Sequence, residues 1–123
     1  MYRVALLEDD EWVIKGIEAS FNWAKYGMEV VGRFLDPKDM LSYLKTEDVD
    51  VIFTDINMPN MDGIEFTKEL RKTDGYKFTP IIALTTENQS SKMEEGKAAG
   101  ATGWIVKPFT SEKLIAIVKK IIG

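Results

Sequence analysis

Six acidic, basic or hydroxyl side chains lie at the ends of four short apolar runs in this sequence. They are Glu8, Asp9, Asp10, Asp55, Thr85 and Lys107. Such runs are typical of buried strands, and the carboxyl ends of parallel strands meet at one edge of a sheet. Carboxylates gathered at that edge repel one another, and a hard divalent cation bound through oxygen offsets the repulsion. The pattern therefore predicts a Mg²⁺ site.

The same residues have the chemistry of phosphoryl transfer. Asp55 is a carboxylate nucleophile, and carboxylates form aspartyl-phosphate intermediates. Lys107 carries a compact positive charge on a long stem, and Thr85 offers a neutral hydroxyl donor. Taken singly, such residues are more often helix-terminal acids, loop punctuation or ordinary strand residues. Their recurrence at four strand ends favours a site that binds and transfers a phosphoryl group.

The elements that must position these residues alternate regularly along the chain. Buried strands are predicted at residues 4–7, 29–34, 51–54, 80–84 and 102–106. Helices are predicted at residues 11–23, from 36–37 onward, at 63–72, from 91 onward and after a cap at 110. This alternation predicts an α/β fold, a flavodoxin-like doubly wound five-stranded parallel sheet of order 2-1-3-4-5 with five helices. The length of 123 residues suits one domain over 1–123.

The fourth helix is predicted to be the weakest element. It begins with a capping box at Ser91 and Glu94, but it contains Gly96 and has only Met93 as a large apolar anchor. Moving elements come from the low-stability part of a fold, so this helix is suited to a conformational change.

Composition excludes several classes of function. Hydrophobic residues make up 45% of the chain and charged residues 29%, a soluble globular profile in which no apolar run is long enough for membrane insertion. The net charge of −4 argues against direct nucleic-acid binding. The absence of histidine excludes His-based triads and a phosphohistidine on this chain, and the absence of cysteine fits a cytoplasmic protein.

The sequence resembles the receiver domain of two-component response regulators over essentially its whole length. The residues that carry the resemblance are the acid cluster 8–10, Asp55 with Met58-Pro59 and Asp62-Gly63 after it, Thr85, and Lys107-Pro108-Phe109. The resemblance implies that Asp55 is the phosphoacceptor and that Glu8, Asp9, Asp55 and the Asn57 carbonyl bind Mg²⁺. It also implies that Thr85 and Lys107 bind the phosphoryl oxygens, that the Lys107–Pro108 peptide is cis, and that Trp104 is the switch aromatic.

The run of three acids leaves open whether Asp10 replaces Glu8 at the metal. Counting from the end of the apolar run favours Glu8 and Asp9.

The resemblance also implies partners. A sensor histidine kinase would supply the phosphoryl group, and a downstream output protein would read the surface of the fourth helix, fifth strand and fifth helix. The chain would be a monomer or a phosphorylation-dependent dimer, catalysing only its own phosphorylation and dephosphorylation. The first third of the chain resembles receivers of AraC-type regulators and residues 78–109 resemble stand-alone chemotaxis receivers. A receiver fragment of a larger DNA-binding regulator is therefore the alternative to a stand-alone switch.

Three other classes fit the sequence less well. A haloacid-dehalogenase-type phosphatase needs a second aspartate two residues after the first, where this chain has Asn57. A dinucleotide-binding or P-loop fold needs a glycine-rich turn after the first strand, where four acids stand instead. A calcium loop starting at Asp55 would need a metal-binding residue and a glycine where Pro59 and Asn60 stand.

Overall fold

The structure, a computed structural model, describes residues 2–19, 21–55, 63–73, 75–76, 79–86, 94, 97–107 and 110–122. For some of these, including Thr85 and Lys107, it describes the backbone position alone. None of the described helices is both long enough and apolar enough to cross a membrane.

Five parallel strands form the central sheet. β1 is Tyr2–Leu7, β2 is Met28–Phe34, β3 is Val51–Asp55, β4 is Ile81–Thr86 and β5 is Gly103–Lys107. Their spatial order is β2-β1-β3-β4-β5, and every neighbouring pair is parallel. The predicted doubly wound sheet and its strand order are confirmed. β1, β3 and β4 are continuous apolar runs because they lie inside the sheet, with both faces covered.

Five helices flank the sheet in the described part of the chain. α1 is Glu11–Ala19, α2 is Pro37–Leu44, α3 is Gly63–Lys72, α4 is described at residues 94 and 97–99, and α5 is Ser111–Ile122. A short 3₁₀ helix at Ala24–Tyr26 precedes β2. The bounds of α3 are those predicted from its apolar spacing.

The two faces of the sheet bury separate hydrophobic clusters. Leu6 and Phe53 belong to the cluster on the side of α1 and α5. Their chain neighbours Leu7 and Ile52 belong to the cluster on the side of α2 and α3. Alternate side chains of β1 and β3 are thus buried on opposite faces. This packing fixes the carboxyl ends of the two strands relative to each other.

Side-chain caps start two of the helices, at the predicted start of α2 and at the predicted cap of α5. The Asp36 carboxylate accepts a hydrogen bond from the Lys38 N–H at 2.8 Å, with Pro37 at the first helical position of α2. The Thr110 hydroxyl accepts one from the Lys113 N–H at 3.3 Å at the start of α5. The capping box predicted at Ser91 lies outside the described residues.

The end of α1 differs from the prediction. The apolar spacing predicts a helix to about Trp23, but α1 is described to Ala19 and residues 21–23 lie outside it. The indole N–H of Trp23 donates a hydrogen bond to the Glu18 carbonyl at 3.0 Å, which satisfies a carbonyl of the last helical turn. The Trp23 ring is buried edge-on to Phe53, with ring centroids 5.8 Å apart. Core contacts by this indole therefore override local helix periodicity.

The pairing of β1 with β2 contains a β-bulge. Val4 pairs with Val30, whereas Ala5 pairs with Gly32, so one residue of β2 has no counterpart in β1. A Cβ atom at Gly32 would lie 2.6 Å from the Phe34 ring. Any larger residue at position 32 would therefore require the Phe34 ring to move, which glycine avoids.

Arg71 holds together three segments at the amino edge of the sheet. Its guanidinium donates hydrogen bonds to the carbonyl of Tyr76 at 2.9 Å and to that of Thr79 at 2.7 Å. Two further N–H groups donate to the Gly100 carbonyl, at 3.1 and 2.7 Å. Gly100 has φ +114, a conformation that favours glycine. The planar fork of arginine satisfies carbonyls of two separate loops at once, which lysine cannot do.

Replacing Arg71 should therefore lower the stability of the whole domain. We expect Arg71→Ala to reduce the free energy of unfolding by about 2–3 kcal/mol, because partly buried carbonyls lose charge-assisted bonds. Arg71→Lys should recover only part of the loss. Chemical denaturation measures both.

The neighbouring Lys72 provides the matched control for that measurement. Its side chain is 75% exposed and forms one ion pair with Glu69 at 3.7 Å. Lys72→Ala should change the stability by about 0.5 kcal/mol or less. Equal losses in the two variants would show that the Arg71 hydrogen bonds contribute nothing specific.

Candidate functional site

Three carboxylates converge where β1 and β3 end side by side. Leu7 of β1 pairs with Thr54 of β3, so the next residue on each strand, Glu8 and Asp55, emerges at the same edge. Glu8, Asp9 and Asp55 each offer an oxygen, and these three atoms lie within 4.8 Å of one another. Glu8 and Asp55 are buried and Asp9 is exposed. Asn57, implied as a fourth ligand, lies outside the described residues.

Backbone pairing holds these acids in place. The N–H of Glu8 donates to the Phe34 carbonyl at 3.0 Å, which extends the β1–β2 pairing one residue beyond the strand. Asp55 still belongs to β3 and pairs with Leu84 of β4. Both buried acids are therefore positioned by strands, which position a site more rigidly than loops do.

The electrostatics of this cluster favour a cation. Two like charges about 4 Å apart repel by roughly 4 kcal/mol at the effective dielectric of a protein site. The donor set consists entirely of carboxylate oxygens, two buried and one exposed. Hard divalent cations take such ligands, and Mg²⁺ keeps several waters, for which the exposed side at Asp9 leaves access. The residues present thus fit the cation that the sequence predicts.

Asp10, the third acid of the run at residues 8–10, has a different role. The Asp10 carboxylate accepts hydrogen bonds from the Trp12 N–H at 2.9 Å and the Val13 N–H at 3.4 Å. Asp10 is therefore the N-cap of α1. Its own N–H donates to Glu8 Oε1 at 3.4 Å, so it also supports the neighbouring acid. The structure places Glu8 and Asp9 with Asp55, and uses Asp10 to start the helix.

Thr85 and Lys107 end neighbouring strands at the same edge. β4 and β5 pair with Thr85 opposite Val106 and Thr86 opposite Lys107. Leu84, the residue before Thr85, pairs with Asp55. The backbone register thus brings all three chain positions to one end of the sheet. The Lys107–Pro108 peptide, expected to be cis, lies outside the described residues.

Trp104 lies further back along β5. It pairs with Ala83, two residues before Thr85 on β4. Trp104 and Ala99 of α4, both partly buried, pack against Ala83. Ala83 of β4 therefore lies against both Trp104 of β5 and the helix predicted to be weak.

Sequence reasoning did not find the contacts that hold Glu8. The bond to the Phe34 carbonyl depends on the bulged pairing of β1 with β2, which no local pattern indicates. The capping role of Asp10 had a local signal, because aspartate immediately before a helix is a preferred N-cap. Because Glu8 and Asp9 stand directly before Asp10, the sequence does not show which acid of the run is the cap.

The separate roles of the three acids predict separate effects on stability. We expect Asp10→Ala to lower the free energy of unfolding by about 1 kcal/mol, and Asp10→Asn to change it little, because asparagine caps equally well. Asp9→Ala, in a metal chelator, should leave stability unchanged or raise it, because one repelling charge is removed. Thermal and chemical unfolding test both claims, and a loss for Asp9→Ala as large as that for Asp10→Ala would contradict them.

Comparison with known proteins places this site in a family. A profile described as the response regulator receiver domain matches residues 4–119. A chemotaxis protein CheY homolog from Campylobacter jejuni is 40% identical over 79 residues, which span 64% of this chain and 61% of that protein. The structure of the chemotaxis response regulator CheY4 of Vibrio cholerae is 38% identical, covers 99% of both chains and has a TM-score of 0.87.

A further solved structure bears on the acidic cluster. The receiver domain of a Pseudomonas aeruginosa sensor histidine kinase, solved with a magnesium ion coordinated in its active site cleft, is 28% identical, with a TM-score of 0.85. It covers 99% of this chain, which in turn covers 98% of it. With the strand order, the acids at the ends of β1 and β3 and the profile match over residues 4–119, the conclusion is that this chain belongs to the response regulator receiver domain family.

Proposed function

We propose that this chain is a phosphorylation-controlled signalling switch that accepts a phosphoryl group on Asp55 from the phosphohistidine of a sensor histidine kinase. Receiver domains of two-component systems are signalling domains that take input from histidine kinases and pass the signal to output partners. The observation that carries the proposal is the convergence of Glu8, Asp9 and Asp55 at the carboxyl ends of two adjacent inner strands. One receiver domain would occupy residues 1–123, and we propose a cytoplasmic location, which the composition suits.

Asp55 is the proposed nucleophile. One of its carboxylate oxygens would attack the phosphorus atom, and the bond from phosphorus to the donor imidazole nitrogen would break in line with it. Attack by water on the same phosphorus would later release inorganic phosphate and restore the carboxylate. Asp55 is 7% exposed at the carboxyl end of β3, and a donor would approach it from that edge of the sheet.

Glu8, Asp9 and Asp55 would hold Mg²⁺, together with the Asn57 carbonyl. The bound cation would offset negative charge on the three carboxylates and on the incoming phosphoryl oxygens. The support is the all-oxygen donor set within 4.8 Å and the similarity to a receiver solved with magnesium in its cleft.

Thr85 and Lys107 would bind the phosphoryl oxygens. Their chain positions support this assignment, because they lie at the carboxyl ends of β4, which is next to the strand that ends in Asp55, and of β5, which is next to β4. Thr85 would also connect the site to Trp104, which packs, as Ala99 of α4 does, against Ala83 of β4. The output partner would read the resulting change on the surface formed by α4, β5 and α5. A stand-alone receiver and a receiver joined to a DNA-binding domain would use the same site.

Phosphorylation should occur at Asp55 alone. Incubation with acetyl phosphate and Mg²⁺ should give one labile adduct by intact mass, and Asp55→Asn should give none, because amide oxygen is a poor nucleophile. Asp39→Asn, an exposed change on α2, is the control and should be phosphorylated normally. The adduct should be lost in a metal chelator and strongly reduced in Asp9→Ala. A persistent adduct in Asp55→Asn would show that another residue is the acceptor.

Trp104 should report the phosphorylated state. With Trp12 and Trp23 replaced by Phe, Trp104 fluorescence should change on phosphorylation, because Trp104 packs against Ala83 together with Ala99 of α4, the helix expected to move. Thr85→Ala should be phosphorylated but abolish the change. A chain with Trp23 as its one tryptophan is the control and should stay silent, since that indole is in the core. A Trp104 signal that persists in Thr85→Ala would indicate a different relay.

A further inference from the structure

Thr54 is a hydroxyl residue inside the central strand of the sheet, one position before Asp55. Its side chain is buried, with 0% of the residue exposed. Its cross-strand neighbours are Leu7 of β1 and Ala83 of β4, which are both apolar and buried. Valine would suit such surroundings better, because a buried hydroxyl costs free energy unless it forms a hydrogen bond. The partner of this hydroxyl therefore indicates what it contributes.

The partner is the main chain of Asp55. The Thr54 hydroxyl donates a hydrogen bond to the Asp55 carbonyl at 3.0 Å. Side chains alternate between the two faces of a strand, and Ile52 belongs to the cluster on the side of α2 and α3. The Thr54 side chain thus lies on that face and the Asp55 side chain on the other. Thr54 therefore acts on the acidic cluster through the backbone of Asp55.

This hydrogen bond lies where the pairing of β3 with β1 ends. The Ile52 N–H donates to the Pro80 carbonyl at 3.0 Å, on the side of β4. Successive residues of a parallel strand direct their backbone groups to opposite neighbours, so Asp55 directs its carbonyl towards β1. The last described pair of β1 and β3 is Leu7 with Thr54. The Thr54 hydroxyl thus supplies a donor to the Asp55 carbonyl just beyond the end of this pairing.

A tether at this point opposes the repulsion among the carboxylates. Asp55 is the last residue of β3, and one of its oxygens lies within 4.8 Å of oxygens of Glu8 and Asp9. Like charges this close push the strand end away from the other acids. The ends of secondary-structure elements also open more readily than their middles. The hydrogen bond from Thr54 restricts rotation of Asp55 about its Cα–C bond and so resists both movements.

We infer that Thr54 is a positioning residue of the acidic site. Its hydroxyl holds the main chain of Asp55, so that the Asp55 carboxylate stays beside those of Glu8 and Asp9. Ligands that are held in place before a metal arrives bind it more tightly, and residues that orient a ligand affect affinity without touching the metal. The inference rests on the proposed function in taking Mg²⁺ as the cation and Asp55 as the phosphoacceptor.

Three substitutions separate the hydroxyl of Thr54 from its packing. Thr54→Val removes the hydroxyl and keeps the shape, Thr54→Ser keeps the hydroxyl and removes the methyl group, and Thr54→Ala removes both. All three should unfold cooperatively in a metal chelator, with midpoints below that of the wild type, because each loses a buried hydrogen bond, a buried methyl group or both. Loss of stability alone therefore does not distinguish positioning from packing.

Mg²⁺ affinity distinguishes the two roles. Calorimetric titration of Mg²⁺ into each full chain should show Thr54→Val and Thr54→Ala binding about tenfold more weakly than the wild type, at the lower end of the range for a group that orients a ligand. Thr54→Ser should bind like the wild type. Thr73→Val is the matched control and should also bind like the wild type. It removes a hydroxyl that donates to a carbonyl at 3.1 Å, that of Glu69, at the far end of α3.

The rate of phosphorylation gives a second measurement. With acetyl phosphate and limiting Mg²⁺, Thr54→Val should form the adduct about tenfold more slowly than the wild type, in proportion to its weaker metal binding. The difference should shrink at saturating Mg²⁺, because the bound cation then holds the carboxylates together. Thr54→Ser should form the adduct at the wild-type rate at both concentrations.

Three results would overturn the inference. Thr54→Val with wild-type Mg²⁺ affinity, or Thr54→Ser as weak as Thr54→Ala, would assign Thr54 to packing alone. A slower rate in Thr54→Val that is the same at every Mg²⁺ concentration would also contradict positioning of a metal ligand. If the wild type forms no adduct but its Mg²⁺ affinity depends on the Thr54 hydroxyl, the proposed function fails and the positioning role stands. If the wild type binds no Mg²⁺, both fail.

Discussion

Repulsion among three carboxylates is the constraint on which this structure depends. Glu8, Asp9 and Asp55 lie within 4.8 Å of one another at one edge of the sheet. Like charges this close repel one another, and the whole net stability of a small domain is only about 5–15 kcal/mol. The cluster can persist only on a scaffold that fixes the strand ends strongly. A cation bound there stabilises the folded chain as well as preparing the site.

The contacts that hold the strands in place lie away from the acids. β1 and β3 are buried on both faces, so their carboxyl ends cannot separate without exposing core residues. At the amino edge, Arg71 donates to the carbonyls of Tyr76, Thr79 and Gly100. The Tyr76 hydroxyl also donates to the Glu47 carbonyl. The amino edge is thus held by neutral and charge-assisted hydrogen bonds. The carboxyl edge can therefore carry the acidic residues.

β5 connects the charged edge to the outer surface. Its last residues lie opposite Thr85 and Thr86, its middle residue Ile105 is in the core, and Trp104 packs against Ala83, as does Ala99 of α4. Among the described strands it pairs only with β4, and lysines of α5 line a groove beside it. A small displacement at the end of this strand therefore has a short path to a surface that a partner can contact.

The sequence by itself determined the strands, their order and the location of the site. The inner strands are continuous apolar runs because both faces are covered, and that pattern is local. The same holds for α3, whose apolar spacing gave its bounds, and for the caps at Asp36 and Thr110, which act within a few residues. Because the carboxyl ends of parallel strands share one edge, the sequence predicts that the reactive residues at the strand ends lie together there.

Only the tertiary structure decided the features that depend on distant partners. α1 ends earlier than its periodicity predicts because the Trp23 indole enters the core beside Phe53 and bonds the Glu18 carbonyl. Asp10 caps α1, whereas Glu8 and Asp9 lie beside Asp55. Which acid becomes the cap depends on where the first helical turn begins. The carbonyl groups that accept hydrogen bonds from Arg71 lie in loops up to 29 residues away along the chain. Local sequence patterns set which residues are buried and which end a strand, but contacts between distant segments set what each polar group bonds to.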